Sequence, residues 1–227
     1  METCCILFVK EPRPGSVKTR LIPPLSPQQA ATLYTAFVVD TAATVGRSAA
    51  ALKVVAYTPP CARDSISGLA EKRDDFQFWP QEGGDLGERM SSALRRSFEL
   101  GCSRSVIVGS DSPSLPLSSI DNGLELLKES DVVIGPSTDG GYYLVGQRAG
   151  EANLFEGIEW STGRVLEQSL KRLGRRSFSL LAPWYDVDTV AEAAFLKIHL
   201  AALHRAGIKA APHTLAALER LELPPPS

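Results

Sequence analysis

The sequence predicts a single α/β domain in which a mostly parallel mixed sheet is covered by helices on both faces, a three-layer α/β/α arrangement. Short apolar runs rich in β-branched residues alternate along the chain with amphipathic stretches of helix length. The 227 residues are 44% hydrophobic, which is enough for a sizeable core. No repeat or low-complexity linker divides the chain. The domain is therefore predicted over residues 1–220, with a flexible proline-rich tail at 221–227.

The predicted elements follow one another in a regular order. After the first strand, Ser26 and Pro27 mark a helix start as N-cap and first helical residue. Later strands are continuous apolar runs, and later helices carry apolar residues at helical spacing. The predicted strands are 4–9, 52–58, 76–81, 105–111, 131–137, 141–146 and 178–181, and the predicted helices are 26–45, 85–100, 117–128, 163–173 and 189–206. This alternation favours parallel strands joined by helical crossovers.

Composition and charge exclude several classes of function. The net charge of −2 and the isoelectric point near 6.0 provide no basic field for a nucleic acid or an anionic membrane. No apolar run approaches the roughly 20 residues of a membrane span, and the first residues lack the basic region, apolar region and cleavage site expected of a signal peptide. A cytoplasmic location is expected. The four cysteines form no CxxC pair and are predicted to be reduced core residues: Cys4, Cys5, Cys61 and Cys102.

A basic loop directly follows the first predicted strand, in the stretch FVKEPRPGSVKTRL. Gly15 permits close backbone approach, while Lys18 and Arg20 offer positive charge to phosphate oxygens. The spacing is neither G-x-x-x-x-G-K-[ST] nor G-x-G-x-x-G, and a solvated basic turn is the alternative interpretation. The predicted nucleotide-binding residues of this loop are Lys10, Gly15, Lys18, Thr19 and Arg20.

Carboxylates follow two later elements. Asp111 ends the most apolar strand, and oxygen ligands of this kind suit Mg²⁺ or Mn²⁺ together with substrate phosphates; an N-cap or Asx-turn is the alternative. Asp186 and Asp188 precede the last long helix, and in an extended chain they share one face. Asp188 is predicted to be either a metal ligand or the helix N-cap. Asp186 is expected to orient this turn or an acceptor molecule.

Three further segments are candidates for the substrate. The Asp139-Gly140-Gly141 turn precedes Tyr142 and Tyr143, one of which is expected in the core and the other at the ligand. Asp139 either holds a sugar hydroxyl or caps its turn. Gly84 and Asp85 begin a helix whose N-terminus suits a phosphate, with ordinary capping by Asp85 as the alternative. A second helix start supplies Trp160, Ser161 and Arg164, with Trp160 as a wall of the site.

These groups are predicted to meet because ligands of open α/β sheets bind beyond the carboxyl ends of the strands. The histidines do not join them: His199, His204 and His213 are scattered late in the chain without an H-E-x-x-H spacing. We interpret them as surface or interface residues rather than zinc ligands or members of a catalytic triad.

The segments FVKEPRPGSVKTRL, GGDLGERM, GSDSPSLP, GPSTDGGYYLVG, FEGIEWSTGRVLEQSL and YDVDT together resemble a known bacterial family. It is the glycosyltransferase-A-like family known as transferase 1 of selenium- and arsenosugar-associated clusters, and the resemblance runs from about residue 6 to 194. It implies a nucleotide-diphospho-sugar transferase fold, GT-A-like and Rossmann-like. A wider similarity reaches the phospholactate and molybdenum-cofactor guanylyltransferases. By this resemblance the basic loop binds the nucleotide phosphates, and Asp111 and Asp188 are the metal-linked acids.

The expected function is metal-dependent transfer from an activated nucleotide, with Asp111, Lys18 and Arg20 as the catalytic residues. The leading prediction is glycosyl transfer from a nucleoside diphosphate sugar to a small acceptor. Glycosyltransferases of this fold carry D-x-D after the middle strand, whereas this chain has a single aspartate, in Asp111-Ser112-Pro113. That departure favours the alternative, a nucleotidyltransferase that joins a nucleoside triphosphate to a phosphorylated small molecule. A non-catalytic nucleotide-binding regulator is the third possibility.

Overall fold

The computed structural model describes residues 2–70, 73–150 and 154–224, so 225–227 of the predicted tail lie outside the described residues. Within these ranges, seven strands form one sheet: β1 (Thr3–Lys10), β2 (Leu52–Thr58), β3 (Gln77–Pro80), β4 (Arg104–Gly109), β5 (Val132–Pro136), β6 (Tyr142–Arg148) and β7 (Phe178–Leu180). The strand order is β3-β2-β1-β4-β6-β5-β7. Only β6 runs antiparallel to its neighbours β4 and β5, so the predicted mostly parallel mixed sheet is confirmed.

Helices cover both faces of this sheet. They are α1 (Pro27–Gly46), α2 (Arg63–Ser67), α3 (Leu86–Glu99), α4 (Leu117–Leu126), α5 (Val165–Leu173), α6 (Val190–Arg205) and α7 (Pro212–Glu219). Alternate residues of β1 enter different cores: Cys5 and Leu7 pack with α1, while Cys4 and Ile6 pack with α3. This period of two is what a strand buried on both faces requires, and it establishes the three layers.

The N-caps of α1 and α6 can be compared with those that the sequence predicts. Ser26 caps α1 through a reciprocal capping box with Gln29, as predicted. The N-cap of α6 is Thr189, whose hydroxyl accepts from the Glu192 N–H, so the interpretation of Asp188 as that cap is wrong. The carboxylate of Asp188 is thereby left for another role.

The short helix α7 is absent from the sequence prediction, because its eight residues have little helical pattern of their own. Asp40 on α1 fixes its start: Oδ2 accepts the Thr214 N–H at 2.7 Å, and Oδ1 lies 2.9 Å from Nδ1 of His213. A buried carboxylate at a helix N-terminus complements both the free N–H groups and the dipole. Beyond α7, Leu221 is also buried.

Two expectations from composition can be checked directly. None of the described helices combines the length and apolar character that crossing a membrane demands. Cys4, Cys5 and Cys102 are buried, but Cys61 is exposed, so the prediction of a core position for it is wrong. Cys61 lies in a short 3-10 turn after β2 rather than in a strand, which leaves its side chain at the surface.

Candidate active site

A cleft of about 650 Å³ opens at the carboxyl ends of β1, β4 and β5, where the topology predicts a ligand site. Because β6 is antiparallel, the turn at its start reaches the same edge. Twelve of the predicted site residues line the cleft: Lys10, Lys18, Thr19, Arg20, Asp111, Asp139, Gly141, Tyr142, Trp160, Ser161, Asp186 and Asp188.

The four cations of the first loop have four different environments. Lys10 stabilises the loop from within, because its Nζ donates to the Ser16 carbonyl at 2.7 Å. Arg13 forms an ion pair with Glu11. Lys18 is buried, with only 3% of its side chain exposed, whereas Arg20 is 67% exposed at the rim of the cleft. In this conformation Arg20 is the loop cation that is most available to an incoming anion.

Lys18 joins two carboxylates that come from opposite ends of the chain. Its Nζ lies 2.5 Å from Oδ1 of Asp111 and 2.8 Å from Oδ1 of Asp188. The two carboxylates remain 45% and 37% exposed, so they face the cleft while the ammonium lies beneath them. Two oxygen atoms therefore already converge on one cationic centre.

The pocket of Lys18 is closed on its inner side by aromatic rings. The ammonium lies 5.7 Å from the ring centre of Tyr34 and 5.5 Å from that of Phe37, both within cation–π range. Burial alone would lower the pKa of Lys18, but the charges of Asp111 and Asp188 outweigh it and hold the pKa above its usual value. The side chain is thus a fixed positive charge at neutral pH.

The backbone of Lys18 has a left-handed conformation, with φ 49° and ψ 40°. Such values are uncommon for a residue with a Cβ and cluster at functional sites. The side chain of this residue is 3% exposed and lies beneath Asp111 and Asp188. The prediction that Lys18 contacts a diphosphate thus remains a prediction, while its position beneath the carboxylates is observed.

Asp186 fastens three loops together at the floor of the cleft. One oxygen accepts a hydrogen bond from the Ser112 hydroxyl, and the other accepts from the Ser137 hydroxyl at 2.9 Å. Burial raises the pKa of Asp186 to about 6, and the nearby charge of Asp111 adds to the rise while the two hydroxyls oppose it. These bonds link Asp186 to the loops after β4 and β5, while its expected role in orienting the turn or an acceptor stays a prediction.

The acidic turn is held in register by further contacts. The Val187 N–H donates to the Asp111 carbonyl at 2.9 Å, while the Val187 side chain is fully buried. Asp186 and Asp188 consequently both face the cleft, as the extended alternation predicts. Next to this turn, the Tyr185 hydroxyl accepts from Ser114 and lies 2.6 Å from Nδ1 of His199. The position of Asp188 therefore depends on packing from α6 as well as on its own loop.

The opposite wall of the cleft is aromatic. Tyr142 and Trp160 meet edge to face, with ring centres 6.4 Å apart, and both line the cleft. Tyr143 points the other way into the core, where its hydroxyl donates to the Ala182 carbonyl at 2.9 Å. The expected core position is thus that of Tyr143, while contact of Tyr142 with a ligand stays a prediction. Ser161 continues the wall with a left-handed backbone, φ 63°.

The Asp139–Gly141 turn supports this wall. The Asp139 carboxylate accepts the Gly141 N–H at 2.9 Å, which is the capping alternative, and Asp139 also lines the cleft. Gly140 has φ 91°, and a Cβ there would lie 2.3 Å from the Gly163 carbonyl oxygen. Glycine is required at this position because two backbones approach each other, and Gly140 itself lies outside the lining of the cleft.

Four other predicted site residues also lie outside that lining: Gly15, Gly84, Asp85 and Arg164. Asp85 caps α3 by accepting the Glu88 N–H at 2.8 Å, the alternative noted from the sequence. Gly84 donates to the Glu88 carboxylate at 2.7 Å. Arg164 forms an ion pair with Glu159 at 3.1 Å. Their assignment to substrate or nucleotide stays a prediction.

Sequence reasoning missed Tyr34, which contacts both the first loop and the loop after β4. Its hydroxyl accepts from the Lys10 N–H at 3.1 Å and lies 2.7 Å from the Ser110 Oγ. Burial raises its pKa to about 12, so it remains a neutral phenol. Within a helix of apolar spacing, a tyrosine looks like an ordinary core residue. Ser112 and Ser137 were also missed as partners of Asp186, although both follow strands that lead to the site.

The carboxylate pair fits Mg²⁺ or Mn²⁺. Asp111 and Asp188 direct oxygen atoms at one cation, and hard divalent ions are commonly held by one or two carboxylates with phosphate and water oxygens completing the shell. Among the described residues, no cluster of three or more His, Cys, Asp or Glu side chains forms a fuller metal site. Such an ion would therefore depend on a bound ligand for its remaining oxygens.

Comparison with known proteins places this architecture among relatives. The profile of a family described as "Uncharacterized protein conserved in bacteria (DUF2064)" matches residues 41–162. The crystal structure of a protein from Desulfovibrio desulfuricans G20, provisionally named a nucleotide-diphospho-sugar transferase, is 33% identical. It aligns over 96% of this chain and 95% of its own, with a TM-score of 0.85. No functionally curated protein matches the sequence.

More distant structures share the fold alone. The 4-diphosphocytidyl-2C-methyl-D-erythritol synthase of Anaerococcus prevotii DSM 20548 is 10% identical, with a TM-score of 0.59 over 88% of this chain and 96% of that one. CMP:2-keto-3-deoxy-manno-octonic acid synthetase, determined with CTP bound, is 12% identical, with a TM-score of 0.54 over 91% and 100%. The predicted nucleotide-diphospho-sugar transferase fold is thus confirmed. The narrower resemblance to the selenium- and arsenosugar-associated proteins stays a prediction.

Proposed function

We propose that this chain, which belongs to the bacterial protein family DUF2064, is a metal-dependent transferase that uses an activated nucleotide. One observation carries the proposal: Asp111 and Asp188 converge on a single cation, Lys18, at the edge of the sheet where ligands of this fold class bind. Arg20 lies beside them at 3.8 Å from Asp188. Fixed cations and a pair of carboxylates in one cleft suit a diphosphate with its divalent ion.

The nucleotide and its partner can be assigned to different parts of the cleft. A second cavity of about 320 Å³ adjoins the first and shares Lys10, Asp111 and Asp186 with it. Most of its other lining is apolar and includes Phe8, Met90 and Ile107. Gln81 lines it too, held by hydrogen bonds from its amide to the carbonyls of Val9 and Ala56. A cavity that is mainly apolar and has one fixed amide suits a base. The acceptor would then lie against Tyr142 and Trp160.

The leading reaction is glycosyl transfer to a small acceptor. The bond from the anomeric carbon to the diphosphate breaks, the acceptor oxygen bonds to that carbon, and the proton of the acceptor hydroxyl passes to solvent. Arg20 would stabilise the charge that collects on the leaving diphosphate. A divalent ion held by Asp111 and Asp188 would supply Lewis-acid stabilisation of the same charge. The rest of the acceleration would come from holding donor and acceptor in place.

A second candidate is nucleotidyl transfer from a nucleoside triphosphate to a phosphorylated small molecule, with pyrophosphate as the leaving group. It is favoured by the single aspartate after β4, since Ser112 stands beside Asp111 and its hydroxyl bonds to Asp186. Both reactions would use the same cations and carboxylates. A small-molecule acceptor, the absence of a nucleic-acid partner and a cytoplasmic location remain predictions from the sequence.

Product analysis distinguishes the two reactions. The purified protein would be incubated with Mn²⁺, a panel of nucleoside diphosphate sugars or nucleoside triphosphates, and a panel of small acceptors. After the Mn²⁺ is removed on a chelating resin, phosphorus-31 resonance would identify the released group. Nucleoside diphosphate supports glycosyl transfer, and pyrophosphate supports nucleotidyl transfer. Nucleotide binding without either product over the whole panel would favour the third possibility, a nucleotide-binding regulator.

A further inference from the structure

We infer that Lys18 is the counter-ion of the Asp111 and Asp188 carboxylates in the empty site and leaves them when a divalent cation binds. Its ammonium group would then move from the carboxylates to the proposed phosphate position. The inference rests on the proposed function, because it takes Asp111 and Asp188 as the residues that would hold the ion. Its starting point is the observed contact of Nζ with Oδ1 of both residues, at 2.5 and 2.8 Å.

The two cations compete for one space. An ion of the Mg²⁺ type bonded to both carboxylates would lie roughly 2.0–2.1 Å from each ligating oxygen, which is the region that the ammonium now fills. The like charges of an ammonium and a divalent ion at such a distance repel strongly, most of all where water is excluded. Lys18 therefore has to yield its contacts with Asp111 and Asp188 when such an ion is bound.

The surroundings of Lys18 define the direction in which it moves. Tyr34 and Phe37 close the inner side, and the Tyr34 hydroxyl is fixed by Lys10 and Ser110. On the outer side is the cleft, into which the exposed faces of both carboxylates open. Among the described residues, the side of this ammonium that is left open is therefore the cleft, where Arg20 already lies at the rim. A displaced Lys18 would join Arg20 and add a second cation at the proposed phosphate position.

This exchange couples the binding of the divalent ion to the binding of the nucleotide. Without a nucleotide, a divalent ion has to displace Lys18, whose charge then has no phosphate to meet, so binding is weak. With a nucleotide, the displaced ammonium gains a phosphate oxygen, and each ligand strengthens the binding of the other. Lys18 thus acts as a positioning residue for the empty site and as a phosphate ligand for the loaded site.

The first test measures Mn²⁺ binding to the full chain without any nucleotide, by calorimetry and by the electron paramagnetic resonance signal of free Mn²⁺. Lys18→Met removes the competing charge and keeps the length of the side chain, so it should bind Mn²⁺ about tenfold more tightly than the natural protein. Lys18→Arg keeps the charge and should bind no more tightly. Arg13→Met makes the same change of net charge in the same loop without touching either carboxylate, and it should have little effect.

The second test needs no variant. Amine-acylating reagent would be applied to the natural protein, and modification of Lys18 would be followed by mass spectrometry, with the exposed Lys209 as internal reference. Lys18, with 3% of its side chain exposed, should react slowly in EDTA and at least about tenfold faster with saturating Mn²⁺. Inorganic pyrophosphate added with the Mn²⁺ should slow the reaction again, because the amine would then be engaged.

Several results would overturn the inference: Mn²⁺ binding to Lys18→Met that is unchanged or weaker, a labelling rate unaffected by saturating Mn²⁺, or no Mn²⁺ binding to any variant. The first two results leave the proposed function untouched, because that function is measured by product release from the nucleotide panel. The third would also remove the metal dependence of the proposed function. A protein that passes both Lys18 tests but transfers nothing would retain the cation exchange and lose the transferase assignment. A protein that transfers but fails these tests would retain the assignment alone.

Discussion

The ammonium nitrogen of Lys18 lies 2.8 Å from a carboxylate oxygen of Asp188, although the two residues are 170 positions apart in the sequence. The contact joins the loop after the first strand to the turn before the helix α6. Asp111, from the loop after β4, completes the group. Three loops at one edge of the sheet are thereby tied to a single charge, so that a change in any of them is expected to reach the others.

Replacing Asp188 by asparagine should weaken metal-dependent nucleotide binding by at least about tenfold. The amide keeps the shape of the side chain but loses the charge that holds a divalent ion. The matched control is the neighbouring Thr189→Ala. It removes the N-cap of α6 and should cost about 1 kcal/mol of unfolding free energy without weakening binding. Calorimetry and urea unfolding measure the two effects. Equal nucleotide affinity in both variants would show that Asp188 is not a ligand.

Arg20→Ala should weaken nucleotide binding by roughly 1.5–3 kcal/mol, the usual contribution of a hydrogen bond to a charged group. Arg20 is exposed at the rim of the cleft, while Arg13 in the same loop is paired with Glu11 and lies outside the lining. Arg13→Ala is therefore the control for a lost positive charge. If the two variants lost affinity equally in a titration, the contact with Arg20 would be no more than a general effect of charge.

The role of Asp186 can be separated from that of a ligand or base by three variants. Asp186→Ala and the double change Ser112→Ala with Ser137→Ala both cut the bonds that fasten the loops, and each should weaken Mn²⁺-dependent nucleotide binding by about 1–3 kcal/mol. Asp186→Asn keeps an oxygen acceptor and should bind nearly as the natural protein does. A direct ligand or base would give the opposite order, with Asn as damaging as Ala and the serine changes mild.

The raised pKa of Asp186 gives a test in pH. Its pKa in the folded protein is about 6, above the ordinary 3.8, so between these values the native state binds more protons than the unfolded state. By linkage, the stability that this group contributes is present at low pH and is lost as the pH rises through about 6. The unfolding free energy of the natural protein, relative to Asp186→Asn, should therefore fall between pH 4 and pH 6 and then level off. Urea unfolding in EDTA measures this difference in unfolding free energy. A difference that stays constant or rises with pH would contradict the raised pKa of Asp186.

Much of the fold follows from local pattern. The apolar runs of β1 and β4 and the capping signal at Ser26 are local properties of the chain, and they predict the elements and a mainly parallel sheet. The helix α7 escapes prediction because a distant carboxylate, Asp40, fixes its start. The helix α7 is therefore stabilised by a contact between parts of the chain that are far apart in the sequence.

The candidate site likewise has one part that the sequence predicts and another part that it does not. That Asp111 and Asp188 share one edge with the basic loop follows from the rule that parallel strands present their carboxyl ends together. That Lys18 lies beneath them, and not out in the cleft, depends on its left-handed backbone and on the packing of Tyr34 and Phe37. These features are set by tertiary structure, and no spacing in the sequence specifies them.

The most direct test of the account is nucleotide binding with and without the divalent ion. A panel of nucleoside triphosphates and nucleoside diphosphate sugars would be titrated into the natural protein in Mn²⁺, into the same protein in EDTA, and into Asp111→Asn in Mn²⁺. We expect at least one ligand to bind in Mn²⁺, and we expect EDTA and the substitution each to weaken its binding by about tenfold or more. Binding of equal strength under all three conditions, or no binding by any member of the panel, would contradict it.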